Sequence, residues 1–445
     1  MIVMKFGGTS VGKPERMKKI AELLLQTPGK KLVVLSALSG TTNTLVRIGD
    51  ALVAGKPDAA DTEIQTLEKD YYQFAQELFS SANYQAVGRE IVSRYFSLFR
   101  LLAAGDPGSY QPDDRTYREL LAQGELLSTE FFYHHLQEMG VASRLLPALH
   151  FMSIDENQEP ELEKISTRLK PLLDSMQQVD IVVTQGYICR NHKNEIDNLK
   201  RGGSDYTASL IGAAIRAEEI QIWTDIDGMH NNDPRVVKKT LPIAELTFDE
   251  ASELAYFGAK ILHPSTIVPA QKFSIPVRLK NTMDEKAAGT LISNKGSRGE
   301  IRAIAAKDGI TAIRIKSSRM LLAYGFLRKV FDVFEKYRTP IDMITTSEIP
   351  VSVTIDDPKN LSQIIAELDK LGVIETENEL SIVCIVGNMI AQQQGLLNKV
   401  FSALSDIQVQ MVSFGGSQNN ISLLVRTSDK NLTLEKLNEG LFNLY

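Results

Sequence analysis

The chain has 445 residues, with 49 Lys and Arg against 55 Asp and Glu and a formal net charge of −6. At about 150 residues per domain this length makes about three units, each able to bury a core without staples. Hydrophobic residues at 43% and charged residues at 23% exclude a largely disordered chain, and the mild, mixed acidity excludes a nucleic-acid partner. The two cysteines, Cys189 and Cys384, give neither a disulfide framework nor a zinc spacing, which fits a reducing, cytoplasmic setting. Lys5 and the glycines after it interrupt the apolar N-terminus too soon for a signal peptide. No run approaches the roughly 18 apolar residues of a membrane span, so a soluble protein with no membrane partner is expected.

Up to about Leu291, short β-branched runs alternate with helical periods, the α/β pattern of a mostly parallel sheet sandwiched by helices. Strands are predicted at Ile2–Phe6, Lys31–Ser36, Asp180–Gln185, Ile220–Asp225 and Pro276–Leu279. Apolar residues at helical spacing over 62–102 and 113–139 predict a mainly helical insertion and a further helix. The turn formers and charges of Ser293–Gly299 mark a boundary, placing one domain at 1–292.

An internal repeat follows. Gly325–Phe334 and Gly395–Leu404 share five of ten residues at an offset of 70. Each run precedes a matching strand pair: Ile341–Thr345 then Val351–Ile355, and Val409–Ser413 then Ile421–Arg426. The pattern predicts two ferredoxin-like βαββαβ modules, at 300–379 and 380–445. The first closes with a strand at Val373–Thr376, whereas the second ends in its helix and lacks one. Ile301–Ala306 either leads into the first module or fills that edge of the second, which would make the first an insertion.

Three clusters carry polar chemistry. Lys5-Phe-Gly-Gly-Thr-Ser-Val-Gly-Lys13-Pro14 joins a strand to a helix start. Pro14 stands where a P-loop needs Ser or Thr, which leaves either a simple glycine turn or a different phosphate site. Arg201-Gly-Gly-Ser-Asp205 opens a second helix and sets a fixed cation and a carboxylate beside exposed amides, suited to an anion with a metal. Trp223-Thr-Asp-Ile-Asp-Gly-Met-His-Asn-Asn-Asp-Pro-Arg235 leaves a strand into a polar loop, where open α/β sheets place ligands; alone it reads equally as a solvated loop.

Taken together, these clusters resemble the aspartate kinases of the amino-acid kinase family. Lys5–Val11 is similar to that family's KFGGTS signature, Val34-Leu-Ser-Ala-Leu-Ser-Gly-Thr-Thr-Asn43 to its VLSA…TN loop, and Gln123-Gly-Glu-Leu-Leu-Ser-Thr129 to its GE-x-x-S box. Thr184-Gln-Gly-Tyr187, Asp233-Pro-Arg235 and Phe257-Gly-Ala-Lys-Ile-Leu-His-Pro264 complete the order, and the repeat resembles the paired ACT modules of the same family. The resemblance implies that ATP, with Mg2+, phosphorylates the β-carboxylate of L-aspartate on the route to lysine, threonine and methionine.

By resemblance, Lys5 contacts the phosphates as a catalytic cation, Gly7 and Gly8 offer them amides, and Asp205 organises magnesium. Arg201 pairs with a substrate carboxylate, Glu125 meets the α-ammonium, and Ser36 and Thr42 line the pocket. Thr224, Asp225, His230, Arg235 and Lys260 hold the nucleotide. Without its motif Glu125 reads as a solvated helix position, and Lys260 as a surface lysine. Trp223 and His263 read as structural, and both cysteines as small buried hydrophobes. Two departures stand out: Lys200 replaces a Gly in the family's TTLGRGGSD run, whose Thr pair is also absent, and His230-Asn-Asn-Asp-Pro-Arg235 lacks the usual Tyr.

The first ACT copy resembles lysine-responsive members at Met320, Gly325, Phe326, Ile341, Asp342, Thr346, Ser347 and Glu348, with Asp342 set to meet a side-chain ammonium. In the second copy Gln410 and Phe414 stand opposite Asp342 and Thr346, so only the first is expected to bind a cationic effector, L-lysine. Symmetric pairing of such modules predicts at least a homodimer. Two rival readings remain, a kinase of another acidic or carbamoyl substrate and a sensor that only binds nucleotide.

Overall fold

The structure, a computed structural model, describes residues 1–104, 111, 115–200, 202–258, 262–296, 299–317, 324–347 and 349–444. The chain divides into two compact units, Met1–Gly228 with Leu262–Asn294, and Met229–Ile261 with Lys295–Tyr445. Among the described residues no helix is long and apolar enough to cross a membrane.

In the first unit, the strands Ser143–Leu145, Ile181–Gln185, Lys31–Leu35, Ile2–Phe6, Ile220–Thr224 and Val277–Asn281 lie side by side in that order and run parallel. Thr290–Ser293 adds antiparallel to the last of them. Every residue of Lys31–Leu35 and Ile181–Gln185 is buried, as in a parallel sheet covered on both faces. One covering layer includes Pro14–Gln26, Thr41–Val53, Pro57–Leu78, Ala82–Ala103 and Arg115–Glu138, whose Leu24, Leu45, Phe74, Phe96 and Phe131 share a core with Met4 and Phe6. The helical insertion is two helices, not one block. Ser81 caps the second by accepting from the Tyr84 amide at 3.4 Å, and the Glu138 carboxylate takes the Ser80 and Ser81 amides at 3.0 and 2.7 Å.

The second unit is built on a six-stranded sheet. Two long antiparallel strands, Ile301–Lys316 and Val373–Gly387, run through its middle. Toward one end, Ile310–Lys316 pairs with Val373–Leu380 and with Pro350–Ile355, whose other neighbour is Ile344–Thr346. Toward the other, Ile301–Lys307 pairs with Ile382–Gly387, which pairs in turn with Asn420–Arg426 and through it with Met411–Phe414. Ile301–Lys307 therefore occupies the edge that the second copy lacks in its own sequence, and the first copy lies inside the second. Each copy keeps its own core, Val330, Phe334, Val353 and Ile364 in one and Leu396, Val400, Leu423 and Leu437 in the other.

Two sequence expectations change here. Met229–Ile261, counted with residues 1–292, clusters with the second unit: Val237 enters the second copy's core, and Asn231 and Asn232 donate to Asn438 at 3.2 and 3.4 Å. Ile341–Met343 is not strand; the strand starts at Ile344, because Asp342 turns its side chain inward instead of continuing a ladder.

Candidate active site

The polar groups of the first unit gather where the parallel strands end. Lys5 stands next to last in Ile2–Phe6, with only 9% of its surface exposed. Its Nζ lies 2.6 Å from Asp205 Oδ1. Asp205 sits in the first turn of the helix Gly203–Ile215, whose N-cap, Gly202, has φ of +69°. A methyl group on Gly202 would come within 2.8 Å of Thr266 and 2.9 Å of His263, so both the backbone and the packing call for glycine. Apart from that ammonium, Asp205 Oδ1 is buried and accepts no well-directed hydrogen bond.

Gly7 and Gly8 leave the strand toward the same point. A Cβ on Gly7 would sit 3.3 Å from Lys5 Nζ, and one on Gly8 would sit 3.1 Å from the Ala37 carbonyl oxygen. The turn is tied down by Ser10, whose hydroxyl lies 2.7 Å from that of Thr282. Beside it, the Ser36 amide donates to the Phe6 carbonyl at 3.2 Å, and the Ala37 amide donates to Glu125 Oε1 at 3.3 Å. Thr42 follows in the first turn of Thr41–Val53.

Glu125 lies within Arg115–Glu138 and is only 3% exposed, and its Oε2 has no partner. Burial pushes its carboxyl up to about 8, opposed only by the Ala37 amide and its own. This helix turns a buried polar band toward the sheet. Ser128 donates to the Ser36 carbonyl at 2.7 Å, and Thr129 accepts from Gln185 at 2.8 Å, whose own Oε1 takes the Ala148 amide. The Gln123-to-Thr129 and Thr184-to-Tyr187 motifs carry this network, although spacing alone does not reveal that they meet.

Thr224 and Asp225 leave the neighbouring strand, the Thr224 hydroxyl donating to Asp225 at 3.1 Å. Trp223 is buried and stacked on Phe6 at 5.8 Å, and His263 caps Pro264–Lys272, so both are structural. Cys189 and Cys384 are buried, and burial raises both thiols. In the second unit, His230 Nδ1 lies 2.8 Å from the Thr240 hydroxyl, and Arg235 grips Asp233 with Nε at 2.9 Å and a terminal nitrogen at 2.7 Å. Arg201, Lys260, Met320 and Glu348 lie outside the described residues.

Of the regulatory positions, Gly325 caps Phe326–Lys336 at φ +78°, Phe326 enters the first copy's core, Ile341 packs against that core, and Thr346 and Ser347 are exposed. Asp342 is not a solvated turn residue. Its side chain is 1% exposed, and Oδ1 takes the Tyr256 hydroxyl at 2.8 Å and Lys307 Nζ at 2.9 Å. Tyr256 and Lys307 escaped the sequence reading.

Among the described residues no three His, Cys, Asp or Glu side chains gather as a metal cage. One carboxylate beside one ammonium fits a divalent ion that arrives on a nucleotide's phosphates. Fixed cation, carboxylate and glycine amides at strand ends are the parts of a phosphoryl-transfer site, which works by positioning and charge neutralisation.

A model of the amino acid kinase family matches residues 1–281, and an ACT domain model matches residues 383–441. The chain belongs to the amino acid kinase family. It is 34% identical to the lysine-sensitive aspartokinase 3 of Escherichia coli, over 99% of both chains, and 34% identical to the chloroplastic aspartokinase 1 of Arabidopsis thaliana, over 99% of this chain and 80% of that one. The fold matches E. coli aspartokinase III in complex with aspartate and ADP (R-state), with a TM-score of 0.87 at 33% identity over 99% of this chain and 100% of that one. The same enzyme in complex with lysine and aspartate (T-state) matches with a TM-score of 0.81 at 33% identity, over 99% of each. Within its family this enzyme is an aspartate kinase, a phosphotransferase whose acceptor is a carboxyl group.

Proposed function

We propose that the enzyme transfers the γ-phosphoryl group of ATP to the β-carboxylate of L-aspartate, yielding 4-phospho-L-aspartate and ADP for lysine, threonine and methionine synthesis, under feedback by L-lysine. The buried Lys5–Asp205 pair at the end of the central strand, with Glu125 behind the adjoining turn, carries this reading.

The nucleophile needs no general base, because a free carboxylate is ionised at neutral pH. One of its oxygens forms a bond to the γ-phosphorus as the bond to the β–γ bridging oxygen breaks, and the electron pair leaves with ADP. The difficulty is bringing two anions together. Lys5 spreads its charge over the transferring group, and Gly7 and Gly8 admit phosphate oxygens to their amides. Asp205 steadies the Lys5 ammonium and takes the magnesium ion carried by the nucleotide. Arg201 forks onto a substrate carboxylate, Glu125 receives the α-ammonium, and Ser36 and Thr42 close the pocket. Thr224, Asp225, His230, Arg235 and Lys260 hold the nucleotide.

Residues 1–292 act as the catalytic domain, and Asp342, Thr346 and Ser347 of the first ACT copy, with Met320, Gly325, Phe326, Ile341 and Glu348, bind the lysine. The protein works in the cytoplasm as a homodimer or larger homo-oligomer joined through its ACT modules. Turnover of L-aspartate with ATP and magnesium, trapped by hydroxylamine, tests the reading. Aspartyl hydroxamate that falls with L-lysine and not with L-threonine is expected. Inhibition by threonine alone overturns the effector, and absence of hydroxamate overturns the substrate.

A further inference from the structure

Asp342 is already engaged by an ammonium that belongs to the protein. Lys307 Nζ lies 2.9 Å from its Oδ1 and 2.7 Å from Asp356 Oδ2, so two carboxylates share one cation and the cluster keeps one net negative charge. The Tyr256 hydroxyl donates to the same Oδ1, while Asp342 Oδ2 is buried and has no partner. An unsatisfied buried carboxylate oxygen in a net-negative cluster is an opening for one further cation.

The second copy lacks this opening. Gln410, opposite Asp342, has both ends of its amide engaged: it donates to Glu377 at 2.6 Å and accepts from Arg314 at 2.8 Å, and Arg314 reaches Glu377 at 2.9 Å. The triad is closed and electrically neutral.

Tyr256 ends the helix Phe248–Tyr256, and the chain then runs through Phe257 and Gly258 toward Lys260. Lys307 stands 4.6 Å from the centre of the Tyr256 ring, so the two side chains also hold each other. Gly258, at φ +114°, lies against Ala306, the residue before Lys307: a methyl group there would run into the Ala306 carbonyl. The end of this helix is thus fastened twice to the strand that faces Asp342.

We propose that Tyr256 and Lys307 couple the effector site to the segment of Lys260. An ammonium placed on Asp342 competes with this pair for the carboxylate, weakens both fastenings and lets the end of the helix shift. This rests on the reading of Asp342 as the site of a cationic effector. Lys307 sets how tightly the effector binds, and Tyr256 converts its binding into inhibition.

The test uses the full-length enzyme, with L-lysine binding followed by calorimetry and inhibition by hydroxamate formation. Tyr256→Phe is expected to bind lysine within about threefold of the parent yet to keep at least about half its activity at saturating lysine, a loss of coupling. Lys307→Met, which leaves two carboxylates without their cation, is expected to bind lysine about tenfold more tightly. Full inhibition of a lysine-saturated Tyr256→Phe enzyme, or lysine binding by Lys307→Met no tighter than the parent's, overturns the coupling while Asp342 keeps its effector. Absence of any lysine binding to the parent enzyme overturns the effector reading itself, and the coupling with it.

Discussion

Replacing Glu125 by Gln separates what this carboxyl does to stability from what it does to catalysis. In the free enzyme burial raises it from the ordinary 4.5 to about 8, so at pH 7 the folded protein keeps a proton that the unfolded chain releases. The interval between 4.5 and pH 7 is about 2.5 pH units, and at 1.36 kcal/mol per unit it costs the native state about 3 kcal/mol. The folded value is the higher one, so this stability is fully present below pH 4.5 and is lost as pH rises toward 8. Gln is neutral throughout and of the same size. Glu125→Gln is therefore expected to resist urea better than the parent at pH 7 by up to about 3 kcal/mol, with the advantage shrinking to nothing near pH 4.5. The same change removes the partner of the substrate ammonium and raises the KM for aspartate by about 10- to 100-fold. Urea titrations of both proteins from pH 4.5 to 8 provide the assay. A stability difference that does not vary with pH would refute the reasoning.

Lys5→Met removes the cation nearest the transferring phosphoryl and is expected to lower kcat about a thousandfold, with a smaller change in KM, as read by hydroxamate formation. Lys200 holds φ at +56°, the region that glycine enters freely; Lys200→Gly should raise the urea midpoint, by about 1 kcal/mol or less, while Lys200→Ala should not. His135 is buried with neither ring nitrogen hydrogen-bonded, and burial lowers its pKa below 6.5. The unfolded chain therefore takes up a proton first as pH falls through 6.5, and stability drops there. In His135→Leu, thermal melting between pH 7 and 5 should lose that part of the acid sensitivity.

How far the sequence could be read depended on whether each signal was local. The strand Ile2–Phe6, the glycine turn after it and the helix opening at Gly203 follow from short patterns, and the repeat from direct comparison of its copies. Lys200 shows the same locality: a position that the family fills with Gly holds a positive φ in this chain. Glu125 was legible only through its motif, because a Glu within a helix reads as solvated, and what buries it is the turn at Ala37, 88 residues earlier in the chain. The break at Phe79–Ser81 was missed because the carboxylate that takes its amides, Glu138, lies beyond the next helix. Tyr256 is 86 positions from Asp342, in a segment that periodicity joined to the preceding domain. Contacts of that kind leave no periodic trace.

The two central strands of the second unit, Ile301–Lys316 and Val373–Gly387, each serve both copies of the repeat, changing register near their middle without leaving the sheet. No linker joins the copies, so there is no hinge about which one could swing while the other stays still. A change of twist where an amino acid is bound passes along the same backbone into the neighbouring copy. The repeat therefore behaves as one continuous plate with two faces for ligands, and a protease has no exposed tether at which to part the sensing copy from the other.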